Sequence, residues 1–355
     1  MSIISLRRCA SLLAASTLMV SSLAACSSAG DVVDTATDAV EDAATSVTEG
    51  GTCAADIKEI EFGIISTESA DNLKQQWEPL LAEKSEAIGR PVKGFYATDY
   101  AGVIEGMGAG KVQVAWYGGK SYIEAAERSE AEAFVQTVSL DGAKGYYSHL
   151  ITNKENPIVG EIDLEAGDGD KYVVENAADL TFAFNDPNST SGFLVPTYYV
   201  FAQQGANADK IFSELVFAGS HEATALAVSE NQVDVATNNN ENLARLEETA
   251  PDALEKIQII WTSPVIPSDP LAYRKDLPDC LKDSMKDFFI GFDNKAVLEG
   301  LQWSGLDSAK DEDWNTIREL QIAKDLLEVQ NNENLSDGDK QTKLDELNKK
   351  LDALK

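Results

Sequence analysis

Asp186-Pro187-Asn188-Ser189-Thr190-Ser191-Gly192 runs straight into Phe193-Leu194-Val195, so three consecutive hydroxyls fall at a predicted helix start. Leu180 to Phe184 reads as a strand leading into this turn. The first N–H groups of a helix have no acceptor inside it, and the helix dipole favours negative charge at that end. Hydroxyl side chains add short, rotatable donors. Together they make a socket for a tetrahedral oxyanion such as phosphate, sulfate or phosphonate. A Ser-Thr-Ser run taken alone also fits a helix cap with spare serines.

The elements around this turn predict an alternating α/β chain. Ile60 to Ile65 is a strand. Leu73, Trp77, Leu80, Leu81 and Ile88 share one helical stripe. Val92 to Tyr96 follows as a strand, Tyr100 to Met107 as a short helix and Val112 to Trp116 as a third strand. Strands separated by helices imply parallel sheets with crossover connections. Val112-Gln113-Val114-Ala115 is echoed by Val233-Asp234-Val235-Ala236, as two lobes built on similar units would produce. The acidic, glycine-containing stretch from Asn156 to Ala178 reads as a surface excursion. Leu344, Leu347, Leu351 and Leu354 form a short apolar seam in the C-terminal segment 331–355. That seam suits either a helix folded back on its own domain or a homodimer.

Length and composition bound the rest. The 355 residues allow two ordinary domains, and a hydrophobic fraction of 43% supports buried cores. Residues 1–25 read as a secretory signal, with Arg7 and Arg8 ahead of an apolar stretch too short to span a bilayer permanently. Its end, Leu23-Ala24-Ala25-Cys26, resembles the lipobox of bacterial lipoproteins. That resemblance implies lipidation of Cys26 and an extracytoplasmic protein, in the periplasm or on the cell surface, tethered to a membrane. Residues 26–56 are the expected flexible tether, with six acids and no Lys or Arg between 27 and 52. Removing the signal takes two of the 29 basic residues and none of the 60 acids, which moves the formal charge from −31 to −33. Such a chain has no basic surface for nucleic acid. An anion must instead be held by local dipoles and donors, against the global field. Beyond Cys9 in the signal and Cys26, the two remaining cysteines of an exported chain, Cys53 and Cys280, suggest a disulfide, with two separate thiols as the other reading.

Several segments together are similar to the phosphonate-binding proteins of ABC importers. They are FGIISTES (62–69), DYAGVIEGM (99–107), VAWYG (114–118), DPNSTSGFLVPTYYVFA (186–202), HEATALAV (221–228), QVDVATNNNENL (232–243) and IWTSPVIPSDP (260–270), in order and with compatible spacing. The resemblance implies an α/β, type II periplasmic-binding-protein fold: two α/β lobes joined by a two-stranded hinge, with the ligand between them. It divides the chain into lobe 1 at 57–148 plus 262–330 and lobe 2 at 149–261. It implies that Ser189, Thr190 and Ser191, with Tyr100, Tyr146 and His221, hold the phosphonate. His221 is the one evident source of positive side-chain charge in this set. Glu241 and Asp269 match family carboxylates at the ligand's far end. Carboxylates beside an anion are costly unless a cation lies between them. A zwitterion resolves this and points to an aminoalkylphosphonate, 2-aminoethylphosphonate being the natural candidate. Phosphite, phosphate or an alkylphosphonate in the same fold is the alternative. Trp116, Tyr117 and Trp261 could wall the cleft or simply pack the core.

The implied partners are the small-molecule phosphonate and the membrane permease of the importer, with no cofactor and no metal. A phosphonate hydrolase would require a metal cluster or an activated nucleophile, and the sequence has no His-rich or Cys-rich ligand spacing.

Overall fold

The structure is a computed structural model that describes residues 53–355. The expected signal 1–25, the lipidation site Cys26 and the tether as far as residue 52 lie outside the described residues. The end of that expected tether is folded. Arg90 donates to the carbonyls of Ala54 and Ile57 at 3.1 and 2.8 Å, and Cys53 is bonded to Cys280.

Thirteen strands occur among the described residues: β1 (Ile60–Ile64), β2 (Val92–Tyr96), β3 (Val114–Trp116), β4 (Ala131–Ser139), β5 (Gly145–Tyr146), β6 (Ser148–Asn153), β7 (Thr181–Phe184), β8 (Glu214–Phe217), β9 (Val235–Asn239), β10 (Ile257–Thr262), β11 (Ile266–Pro267), β12 (Pro270–Arg274) and β13 (Trp303–Ser308). They form two main sheets. One has the order β13-β4-β12-β3-β1-β2 and the other β10-β6-β9-β7-β8. A two-stranded ribbon, β5 with β11, carries the chain from the first sheet to the second and back.

In the six-stranded sheet β1 runs parallel to β2 and β3, with the helices Ala70–Ile88 and Tyr100–Gly108 as crossovers. The stripe predicted on the first helix is buried at Leu73, Trp77, Leu80 and Leu81. Trp77 packs within 5.2–5.4 Å, ring centre to ring centre, of Phe62, Trp116 and Trp303. In the five-stranded sheet β7 is parallel to β8 and β9, while β6 is antiparallel to β9 and β10. The two strands of the internal echo, β3 and β9, sit one in each sheet.

Residues 156–178 depart from expectation. They fold into a 3-10 turn at Pro157–Gly160 and a helix at Gly169–Glu175, and they bury Ile158, Ile162 and Val173. Three apolar anchors pin the acidic stretch, because its charges can all face water while those side chains do not. At the C-terminus the helix Asp337–Asp352 packs back on Asn315–Gln330, with the leucine seam half-buried. No described helix is long and apolar enough to cross a membrane.

Candidate functional site

β7 ends at Phe184, and Asp186 makes the turn by accepting the N–H of Asn188 at 2.7 Å. Ser189 then caps the following helix, accepting from Gly192 N–H at 2.9 Å. That helix opens with a π turn, Thr190–Leu194, in which Leu194 N–H reaches back five residues to Ser189 C=O. π turns inside helices are uncommon and concentrate at functional sites. A Cβ at Gly192 would lie 2.4 Å from the Asn185 Cβ, so only glycine lets this turn close on the strand end.

All three hydroxyl oxygens of the socket already accept from protein donors. Ser189 Oγ accepts from Gly192 N–H and from the Asn185 amide (3.3 Å), and Thr190 Oγ1 accepts from the Lys120 N–H (2.8 Å). Ser191 Oγ accepts from the Asn239 amide (3.1 Å). Accepting leaves each hydroxyl its hydrogen for donation, and Ser189 Oγ and Ser191 Oγ lie 3.5 and 3.4 Å from His221 Nε2. Thr190 and Ser191 line one small cavity with Ser189, Tyr100, Tyr146, His221, Glu241 and Asp269. All the site residues expected from the sequence, Cys26 and the cysteine pair apart, thus meet in one place. The space left free admits a water centre over about 10 Å³, roughly one water molecule.

Tyr100 opens its helix behind the Asp99 cap, and its hydroxyl lies 3.5 Å from the Asn185 amide. Tyr146 is on the ribbon strand β5, its hydroxyl against Thr190 and Asp269. Burial holds both phenols above their ordinary value, so both stay protonated as donors.

His221 differs from expectation. Burial, followed by the charge of Arg245, pushes its imidazole down to about 3, so the ring is neutral. Asn239 fixes its environment: the amide oxygen accepts Asn242 N–H at 2.7 Å, which turns the amide nitrogen toward His221 Nε2 at 3.1 Å. The cation of the cavity is Arg245, which the sequence did not reveal. Arg245 lies one helical turn beyond Glu241 on Asn240–Thr249, and its Nε donates to the buried carboxylate of Glu68. Glu68 also accepts from Gln76 at 2.9 Å. Ile65, Thr67, Gly118 and Asn239 line the cavity as well and were likewise not foreseen. Thr67, Gly118 and Asn239 fall in or beside segments that carried the family resemblance, yet none is a charged or hydroxyl-cluster signal by itself.

Burial, and then the charge of Glu241, raises the Asp269 carboxyl well above the ordinary carboxylate range. Burial also raises Glu241, against the pull of Arg245. Asp269 Oδ1 is buried with no hydrogen-bond partner. Of the three aromatic residues left open by the sequence, Trp116 edges the cavity. Tyr117 sits in the core with its hydroxyl 3.5 Å from Met107 Sδ, and Trp261 is core.

Several bonds cross between the two sheets' halves, and they converge on helix starts. Asp186 accepts Tyr100 N–H at 3.3 Å, and Thr190 accepts Lys120 N–H at the start of Gly119–Arg128. Glu222 accepts Ser69 N–H at 2.5 Å and the Asn72 amide at 2.9 Å, both at the start of Ala70–Ile88. The Thr67 carbonyl accepts His221 and Glu222 N–H at 3.0 and 3.2 Å, at the start of His221–Ser229.

The family model of the periplasmic substrate-binding protein of phosphonate ABC transporters matches residues 62–314. The chain is 46% identical over 301 residues to the phosphonates-binding periplasmic protein of Escherichia coli K12, covering 84% of this chain and 86% of that one. It is 28% identical over 258 residues to a phosphate-import protein of Mycolicibacterium smegmatis, covering 68% of this chain and 76% of that one. A crystal structure of a binding protein component of an ABC phosphonate transporter from Pseudomonas aeruginosa is similar with a TM-score of 0.79 and 45% identity, covering 83% of this chain and 96% of that one.

Proposed function

The chain belongs to the family of periplasmic substrate-binding proteins of phosphonate ABC transporters, and on that premise we propose that its cavity captures 2-aminoethylphosphonate for delivery to the importer's permease. The family is one of transport proteins, with the type II periplasmic-binding-protein fold. The observation that carries the choice of ligand is a row of hydroxyl donors and two carboxyls, Asp269 buried and Glu241 half-buried, lining the same small cavity. The phosphonate sits on the hydroxyls of Ser189, Thr190 and Ser191 and on Tyr100 and Tyr146. His221 joins once an anion beside it offsets the burial cost of its charged form. The ammonium sits between Glu241 and Asp269, where it relieves their mutual repulsion.

The ligand enters with the halves apart, since the closed space holds roughly one water. Lobe 1 (57–148 plus 262–330) and lobe 2 (149–261) then close about the β5–β11 ribbon. Lipidation of Cys26 holds the protein at the membrane, and residues 331–355 belong to lobe 1 as a packed-back helix.

Calorimetric titration of 2-aminoethylphosphonate, methylphosphonate, phosphite and phosphate tests this reading. The aminoalkylphosphonate binds tightest, and Ser189→Ala weakens it by about 10–100-fold, the worth of a hydrogen bond to a charged group. Equal or tighter binding of phosphate would favour the alternative ligand class, which the 28% relationship to a phosphate-import protein keeps in view.

A further inference from the structure

We infer that Glu68 is a selectivity-determining positioning residue, which holds the Arg245 guanidinium away from Glu241 and Asp269 so that a cationic ligand can use those carboxylates. This inference rests on the proposed ammonium site and extends it to a residue outside the ligand's reach.

Glu241 and Arg245 are separated by four residues on Asn240–Thr249, the spacing at which a helix brings opposite charges together. Both also line the cavity, as does Asp269. An arginine so placed would ordinarily pair with its helical neighbour or with the second carboxylate. Instead, its one ion pair among the described residues is with Glu68, from the loop that follows β1 in the opposite half. Burial and a second contact hold Glu68 in position, since its side chain is 1% exposed and its other oxygen accepts from Gln76 on Ala70–Ile88. The pair spans the cleft, so closing the halves is what places Glu68 against Arg245. In the closed form the guanidinium is neutralised from outside the ligand site, and the two carboxylates stay unmatched within it.

Two expectations follow from charge balance. Without the Glu68 charge, Arg245 becomes an unpaired cation in a buried site, and the acids that share its cavity are Glu241 and Asp269. It then occupies the place of the ligand's ammonium. The site loses its preference for a zwitterion and tolerates an anion that brings no cation.

The test compares 2-aminoethylphosphonate with methylphosphonate by calorimetry on the full chain. In Glu68→Gln, which keeps the shape and the Gln76 contact, affinity for the aminoalkylphosphonate falls by about 10–100-fold, as expected for losing an ion pair in a buried site. Affinity for methylphosphonate changes by less than about 3-fold or rises, so the ratio between the ligands collapses. Adding Arg245→Met to Glu68→Gln removes the competing cation and regains most of the lost ratio. This double variant removes both charges of the Glu68–Arg245 pair together and so folds even where the single one does not. Equal losses for both ligands in Glu68→Gln, or a double variant no more selective than the single one, would overturn the inference. Wild-type protein that binds both ligands equally would instead defeat the ammonium site itself. A crystal structure of Glu68→Gln gives a readout free of ligand: Arg245 moves to within ion-pair distance of Glu241 or Asp269, and an unmoved guanidinium counts against the inference.

Discussion

Asp269 has a carboxyl that its surroundings resist ionising, first by burial and then through Glu241. Since its folded value lies above the unfolded one, the stability it contributes is present at low pH and is lost as pH rises through that raised value. Asp269→Asn removes the ionisation. The unliganded variant therefore gains thermal stability over wild type at pH 8 and gains less at pH 5, measured by calorimetric melting. A difference that grows toward acid would contradict this sign. Arg245, His221 and Tyr146 face the same cavity; His221 is neutral and Tyr146 protonated, and Arg245, paired with Glu68, offsets the rise at Asp269 only in small part. At this scale the sequence was readable where chemistry is local. Ser189, Thr190 and Ser191 are contiguous and sit at a helix start, so their donor role follows from spacing. Arg245 was not readable: four residues from Glu241, it passes for a surface pair, and only the distant Glu68 gives it a different partner. His221 misled for the same reason, since the burial that strips its charge is a property of the assembled cleft.

Strands and helices with strong apolar patterns were legible to within a residue or two, as β2 and the Tyr100–Gly108 helix illustrate. The π turn after Ser189 was not, because its five-residue reach depends on how Gly192 meets Asn185 in space. The segment 156–178 hid its anchors among acids with no helical or strand period. The helix Ala70–Ile88 holds another feature that periodicity masks. Lys84 is fully buried with its ammonium unpartnered, 4.4 and 4.3 Å from the ring centres of Phe288 and Phe289, and burial lowers it to about 7. The rings recover part of the desolvation cost. Lys84→Met keeps the stem's packing and removes the charge, so it stabilises the protein by about 1–3 kcal/mol near neutral pH. Because a lysine lowered on folding costs more as pH falls from its ordinary range toward its folded value, the gain shrinks at pH 10. Denaturant melts at the two pH values check this, and a destabilised variant would show that the cation–ring contacts outweigh desolvation.

Across the whole molecule, the two-sheet architecture followed from alternation of strands and helices, while the return of β12 and β13 to the first sheet needed the family resemblance. Pairing of Cys53 with Cys280 joins the chain just before β1 to the helix Asp279–Ile290, both belonging to that sheet's half, over a separation of 227 residues. The ligand cleft is thus left free to open without straining the crosslink. The bonds that cross the cleft have a common grammar: four helix starts, at Ser69, Tyr100, Lys120 and His221–Glu222, find their acceptors on the opposite half. Opening therefore hands those N–H groups to water while every strand ladder stays intact. The clock on each proton is set by how long the halves stay together. In hydrogen–deuterium exchange, the amides of Ser69, Tyr100, Lys120, His221 and Glu222 should exchange in step in the free protein and slow together on saturation with phosphonate. The interiors of β1 and β7 should keep one rate throughout. If those five amides are as slow without ligand as with it, the halves do not part at those contacts. If they slow, the helix ends become a built-in gauge of the fraction of receptors loaded and closed for delivery.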